Sequence, residues 1–456
     1  MKIKKNGLLW AIGLTILTVL LPLEGLSFEG HMAIGLLVFA VVMWGSEALP
    51  LPVTSLIILF LQPIMHIATF RNAVTEFANP IIFLMIGGFI IAEGIRKSGL
   101  VQRLTYFMLD RVGTSANMCL FVCVFATGLL SVWIENVVAF ALVIPIIKEV
   151  IDLLGIRSPQ EGKSNFAKAG ILGACFASLS GGLATQISTA PNLIASAYVH
   201  IPFANWMLFG FPITIILLFT IWKYLGFIFP SEVKEIPGGH QTIKEKLTNV
   251  GKVKRDEKVA LILLLFTISL WVTGEFTGLT SYAVALIGAS LFFVFNILEW
   301  QDAQRNVDWG LVLFFGGALS MGATLVSTGA GNWLITHLLS LLGPNPEPLL
   351  IVLILMVVGV LLTQFMSNVV IAAILIPLII SLPQAQGELG MFAVPIALAC
   401  SLPSVLPMSD PTVAITYGLG YINATEVIKA GVPIIIVGIF ATILMVFTIG
   451  RPLIGG

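Results

Sequence analysis

Two asparagines open this reading, because each stands where an apolar stretch breaks. Residues 116 to 152 are too long for one membrane helix and are interrupted at Trp133-Ile134-Glu135-Asn136-Val137-Val138. Residues 349 to 382 are interrupted in the same way at Phe365-Met366-Ser367-Asn368-Val369-Val370. Each stretch reads as a re-entrant hairpin whose second helix begins at Asn136 or Asn368. Backbone N–H groups at a helix start lack intrahelical partners and carry the positive end of the helix dipole, so such a tip is an anion site. Two tips meeting at mid-membrane would hold a ligand with two carboxylates; the plainer role of a lone membrane Asn is to bind neighbouring helices together. Two further breaks, Ser188-Thr189-Ala190-Pro191-Asn192 and Pro407-Met408-Ser409-Asp410-Pro411-Thr412, would expose carbonyls and hydroxyls of the kind that coordinate small cations, or simply kink a helix at proline.

The elements that must position these breaks are membrane helices. The chain has 456 residues, 58% hydrophobic and 10% charged, with a mean hydropathy of +1.03; a soluble chain of this length needs far more charge to cover its surface. The chain therefore reads as an all-α polytopic membrane protein with the lipid bilayer as its surroundings. Apolar segments begin at Gly7, His31, Pro52, Pro80, Ala116, Ala167, Phe203, Val259, Thr280, Asp308, Glu347, Met391 and Val427. With two of them counted as hairpins, eleven full spans remain. The basic start followed by an apolar run suits a first span better than a signal peptide, since no small-residue cleavage pattern follows. With the N-terminus cytoplasmic, only Arg71 and Arg451 of the 23 Lys and Arg fall on the outer side, the C-terminus included. That bias would collapse if either hairpin were counted as a span. Zero net charge excludes the basic footprint of a nucleic-acid partner. Residues 231–258, rich in Lys, Glu and Gly, read as a cytoplasmic linker dividing the chain.

The halves on either side of that linker resemble each other. Glu135-Asn136-Val137 matches Ser367-Asn368-Val369 at a shift of 232, as Ile144-Pro145 matches Ile376-Pro377. Gly87-Gly88 pairs with Gly316-Gly317 at 229, and Ser98-Gly99 with Thr328-Gly329 at 230. Because an odd number of crossings separates the copies, they would insert with opposite orientation, the architecture of secondary transporters with a substrate near the midplane. The expected organisation is 1–115; 116–230 with the first hairpin; 231–258, linker; 259–344; and 345–456 with the second hairpin.

In these segments the chain resembles the divalent anion/sodium symporter family of dicarboxylate and tricarboxylate carriers. The likeness runs from EALPLPVTSL through LMIGGFIIAEGIRKSGLVQRL and LFFGGALSMGATLVSTGAGNWL to LPMSDPTVAITYG. It implies a homodimer in which a scaffold domain, residues 1–115 and 259–344, holds the dimer and a transport domain carrying both hairpins, residues 116–230 and 345–456, moves as an elevator. It also implies a substrate site at Glu135, Asn136, Val137, Thr189, Ser367, Asn368, Val369, Asp410 and Pro411. Sodium-site equivalents would be Ser131, Asn136 and Ser188 in the first half, and Thr363, Asn368 and Ser409 in the second. The family's twin Ser-Asn-Thr tips are altered here: both threonines are valines, and one serine is Glu135. The usual glycine of the first turn is Ser188, and the later Ala-Thr-Pro is Ser409-Asp410-Pro411.

Glu135 and Asp410 conflict with an anion site, since no Lys or Arg lies in either tip or turn to pair them. They would be protonated at work, hold a cation, or bond neighbouring backbone and hydroxyls. The altered tips and turns favour a sodium-independent exchanger of di- or tricarboxylates such as succinate, malate, 2-oxoglutarate or citrate in the inner membrane, without a cofactor. The alternative is a sodium- or proton-coupled symporter. A channel would need rings of equivalent polar residues, and a membrane hydrolase a base beside Ser131 or Ser367, which no motif supplies. The remaining features read as structural. The four cysteines are small hydrophobes, Glu47 and Glu93 belong to the scaffold, the double glycines permit close packing, and Trp10, Trp44, Trp206 and Trp300 are interfacial anchors.

Overall fold

A computed structural model describes residues 5–112, 115–154, 164–236, 239–340 and 346–454. The first half contains α1 (Lys5–Leu20), α2 (Phe28–Ser46), α3 (Leu51–Ile64), α4 (Phe70–Thr75), α5 (Pro80–Ser98), α6 (Leu100–Val112), α7 (Ala116–Ser131), α8 (Asn136–Asp152), α9 (Asn165–Gly181), α10 (Ala190–Tyr198) and α11 (Phe203–Ile228). The second contains α12 (Gly239–Val250), α13 (Arg255–Val272), α14 (Gly274–Thr277), α15 (Ser281–Val294), α16 (Trp300–Asn306), α17 (Trp309–Ser327), α18 (Ala330–Leu339), α19 (Pro348–Thr363), α20 (Asn368–Ile380), α21 (Leu389–Cys400), α22 (Pro411–Gly418), α23 (Ala424–Met445) and α24 (Arg451–Ile454). The fold is all-α: among the described residues the only β pairing is a single bridge between Ser115 and Glu235.

The order of elements repeats as the sequence shifts require. A double-glycine helix (α5, α17), a short connecting helix (α6, α18), two helices joined by a four-residue turn (α7–α8, α19–α20) and a broken helix (α9–α10, α21–α22) occur in each half. The halves exchange partners, for α5 packs on α15 and α17 on α3. Glycine makes this approach possible. A Cβ on Gly87 would lie 2.7 Å from the Ala285 Cβ, and one on Gly317 would lie 2.4 Å from the Ser55 Cβ, so the backbones touch where any side chain would part them. Polar glue reinforces the second contact: Gln62 Nε2 donates to Ser320 Oγ at 2.8 Å, and Thr324 Oγ1 donates to Gln62 Oε1 at 3.0 Å.

Among the described residues, five helices are long and apolar enough to cross a membrane by themselves, and the pair Phe70–Ala78 and Pro80–Ser98, bent by 42°, would make a sixth. Helices such as α3, with 14 residues, extend about 21 Å, short of a bilayer core of about 30 Å. The count of eleven spans thus rests on the sequence pattern.

The described residues of the expected linker are partly helical. They contain α12, which packs on α6, and the first turn of α13. Arg103 fastens this segment: its Nε donates to Glu257 Oε2 at 2.7 Å, and its Nη atoms reach the carbonyls of Gly251 at 3.0 Å and Lys252 at 3.2 Å. A hydrophilic composition hid a helix whose stability comes from docking.

Two tryptophans also depart from expectation. Trp10 and Trp300 are exposed, as anchors should be, but Trp44 and Trp206 are buried inside the protein, where Trp44 packs against Phe314 and Trp206 Nε1 donates to Leu183 O. All four cysteines are buried and none is in a disulfide. Lys2, Lys4, Arg157 and Lys163 of the charge pattern, and the expected boundary at 344–345, lie outside the described residues.

Candidate substrate and cation site

The two hairpin turns and the two broken helices converge on one cavity of about 500 Å³. Glu135, Asn136 and Val137 come from the first tip and Ser367, Asn368 and Val369 from the second. Thr189 and Ser188 come from the first broken turn, Asp410 and Pro411 from the second. All nine candidate substrate residues therefore share one wall system, although the halves that supply them are more than two hundred residues apart. The two broken turns also meet directly, with Thr189 Oγ1 and Ser401 Oγ 3.0 Å apart.

The hairpin turns are built alike but finished differently. Glu135 precedes α8 and its own carboxylate accepts from the backbone N–H of Val137 at 3.1 Å and of Val138 at 3.4 Å. The first tip is therefore already capped by an acidic side chain of the protein itself. Ser367 precedes α20 without any side-chain cap, and the first backbone bond of that helix is donated by Ile371, so the amides at this helix start have no intrahelical acceptor, and Asn368 and Val369 line the cavity. The two tips thus differ in capping, the first closed by Glu135 and the second without a side-chain cap.

Asp410 follows the same logic. Its Oδ1 accepts from Thr412 N at 2.8 Å and caps α22. Its Oδ2 accepts from Asn136 Nδ2 at 3.1 Å, and Asn368 Nδ2 lies 3.5 Å away. One carboxylate thus ties both hairpin asparagines to the second broken helix. Asp308, a third acid on the cavity wall, caps α17 through Leu311 N at 2.9 Å. Of the three roles open to the acids, bonding to backbone and neighbouring amides is the one the geometry displays. Charge at a helix N-terminus is stabilised by the unpaired amides and the dipole.

The candidate cation ligands behave differently in the two halves. Ser188 Oγ and Thr185 Oγ1 lie 2.6 Å apart, and both donate to Val132 O. Ser131, next in the chain to Val132, donates to Ser178 O at 2.6 Å. Asn192, fully buried, gives both its Nδ2 hydrogens to the carbonyls of Gly182 and Thr185 and leaves Oδ1 without a donor. This cluster holds only neutral oxygens with one orphaned acceptor, the chemistry that suits a hard monovalent cation. In the second half Thr363 Oγ1 donates to Val360 O at 2.9 Å and Ser409 Oγ to Leu406 O, each within its own turn. Neither Thr363 nor Ser409 lines the cavity.

Four polar wall residues were not among the site candidates: Glu93, expected to be structural, and Arg96 from α5, and Asn306 and Asp308 ahead of α17. Arg96 is bound to Glu93 through Nε and Nη2, both at 2.6 Å, and Asn306 Nδ2 donates to Glu93 Oε1 at 2.9 Å. The repeat carried a usable signal for Asp308, which stands 229 residues after Asn79, the cap of α5. For Arg96 the sequence offered only its i,i+3 spacing from Glu93.

An all-helical membrane chain with paired hairpins, paired broken helices and one cavity between them defines a transporter, not an enzyme. Its sequence matches the model of the sodium:sulfate symporter transmembrane region over residues 2–455, and the chain belongs to that family. It is 31% identical to a sodium-dependent dicarboxylate transporter of Staphylococcus saprophyticus, over 98% of this chain and 92% of that one. Its identity to the protein of the same description from Staphylococcus aureus is also 31%, over 93% and 86%. Among solved structures, the YdaH transporter of Alcanivorax borkumensis superposes with a TM-score of 0.55 at 15% identity, covering 85% of this chain and 89% of that one. MtrF of Neisseria gonorrhoeae, an antimetabolite efflux pump, gives 0.53 at 15%, over 87% and 86%. These two likenesses concern the fold alone.

Proposed function

We propose that this protein is a secondary transporter that carries dicarboxylates such as succinate or malate across the cytoplasmic membrane together with sodium. The observation that carries the reading is the cavity where both hairpin turns and both broken turns converge, beside a cluster of neutral oxygens. The relatives, described as sodium-dependent dicarboxylate transporters, support the coupled reading over the sodium-independent exchanger that the altered turns suggested. Ser188, where the resemblance leads one to expect glycine, brings a hydroxyl into the oxygen cluster, which is compatible with a cation held there.

In this reading sodium is held by oxygens around Ser131, Val132, Thr185, Ser188 and Asn192, and its charge favours the dianion beside it. The open amides of α20 take one substrate carboxylate. Asp410 keeps the two tips in register while the load is exchanged. The protein is a homodimer with an elevator motion of its hairpin-bearing transport domain, residues 116–230 and 345–456, against a scaffold of residues 1–115 and 259–344. The N-terminus is cytoplasmic and the C-terminus lies outside.

The test is uptake of radiolabelled succinate by proteoliposomes of the purified protein. An inward sodium gradient should drive accumulation into vesicles that contain no dicarboxylate. Uptake that ignores sodium and requires preloaded dicarboxylate would restore the exchanger; no dicarboxylate movement under either condition would overturn the reading.

A further inference from the structure

With the first tip capped by Glu135 and valines at Val137 and Val369, the hairpin tips offer few free donors to a second carboxylate. A dianion needs a second anchor. One basic side chain faces the cavity among the described residues, and it comes from neither hairpin nor broken turn: Arg96, near the end of α5. Its guanidinium is held in place by Glu93, whose side chain is 5% exposed and which also accepts from Asn306. That pairing uses Nε and one Nη2 hydrogen. A guanidinium has five N–H donors, and no acceptor among the described residues engages Nη1. The group is therefore fixed, charged, partly exposed to the cavity and still able to donate, the state in which an arginine recognises a planar carboxylate.

We propose that Arg96 binds the second carboxylate of the substrate, and so selects dicarboxylates over acids with one charged end, while Glu93 is the positioning residue that orients it. This rests on the reading of the cavity as a dicarboxylate site. The arrangement also accounts for the valines in the tips, because a guanidinium replaces the hydroxyl donors they lack.

The experiment measures initial rates of sodium-driven succinate uptake in proteoliposomes, with succinamate, in which one carboxylate is an amide, as competitor. Wild-type protein should prefer succinate strongly. Arg96→Gln should raise the succinate KM about ten- to a hundred-fold, the loss expected for a charge-assisted hydrogen bond, with kcat nearly unchanged and the preference over succinamate largely abolished. Arg96→Lys should retain part of both. A purely structural role would lower the yield or kcat and leave the preference intact. Since Arg96→Gln strands the buried Glu93 carboxylate, the double variant E93Q/R96Q, which keeps the pair neutral, is measured beside it. If either variant transports with unchanged KM and unchanged preference, the role assigned to Arg96 is wrong although the dicarboxylate reading stands. If the wild type carries no dicarboxylate, the reading itself fails and takes this assignment with it.

Discussion

The joint between Asp410 and Asn136 makes the sharpest stability test. Asn136 is 4% exposed and Asp410 6%, and the amide donates to the carboxylate at 3.1 Å. A hydrogen bond to a charged group contributes about 1.5–3 kcal/mol. Asp410→Ala removes that bond and the cap on α22, itself about 1 kcal/mol, so a total of about 2.5–4 kcal/mol is expected. Asn136→Ala removes the same bond from the other side. If the two residues stabilise the protein mainly through each other, the double variant should cost less than the sum of the singles, leaving a coupling of at least about 1.5 kcal/mol. Reversible unfolding in mixed micelles of increasing SDS content would supply the four free energies. Additivity to within about 0.5 kcal/mol, the usual behaviour of independent sites, would mean that Asp410 does not tie the first hairpin to the second broken helix, and the account of the site would lose its central joint. Asp410→Asn should cost less than Asp410→Ala, because asparagine caps helices about as well as aspartate.

Other perturbations test different parts. Ser131→Ala and Ser188→Ala should each raise the sodium concentration for half-maximal succinate uptake, while the succinate KM at saturating sodium stays close to wild type. Gly87→Val and Gly317→Val would push a side chain into backbone contacts at α15 and α3 and should cost about 1–3 kcal/mol each in the same micelle titration; a stable Gly317→Val would refute the close-packing role. Arg103→Gln should release α12, seen as faster cleavage between residues 250 and 255 in limited proteolysis. Outside the membrane, the Lys97 ammonium, 2.6 Å from Asp302 Oδ2, holds the Asp302 carboxyl below its ordinary range. A depressed folded pKa means that the pair stabilises above the unfolded value, about 3.9, and loses its effect as pH falls through the lower folded value. The deficit of Asp302→Asn should therefore be small at pH 7, shrink with added salt, and disappear under acid conditions.

Helix starts and breaks were legible in the chain because they depend on local physics. Apolar runs form helices wherever backbone groups have no water to bond, and turns rich in proline, serine and asparagine interrupt them. Asn136 and Asn368 accordingly open α8 and α20. The repeat was legible for a related reason: a shift shared by Pro145 and Pro377 and by the two asparagines leaves little freedom in how the copies fold. The helix α12 was not legible, since its stability comes from α6 and Arg103, which lie more than one hundred residues away.

The same division holds at the site. The sequence by itself determined that this is a membrane transporter with two matching breaks and acids near them, because composition and spacing are properties of the chain. Only the tertiary structure decided what those acids do. A carboxylate at depth is costly in isolation but stable when it meets unpaired amides, and whether it meets them depends on which helix start and which asparagine come within 3 Å or so. Glu135 finds the amides of its own helix, and Asp410 finds Thr412 together with an asparagine 274 residues away. By capping their own helix starts they leave the tip at Asn368 as the one without a side-chain cap, and the packing of α5 places Arg96, unremarkable in the linear chain, on the wall of the cavity.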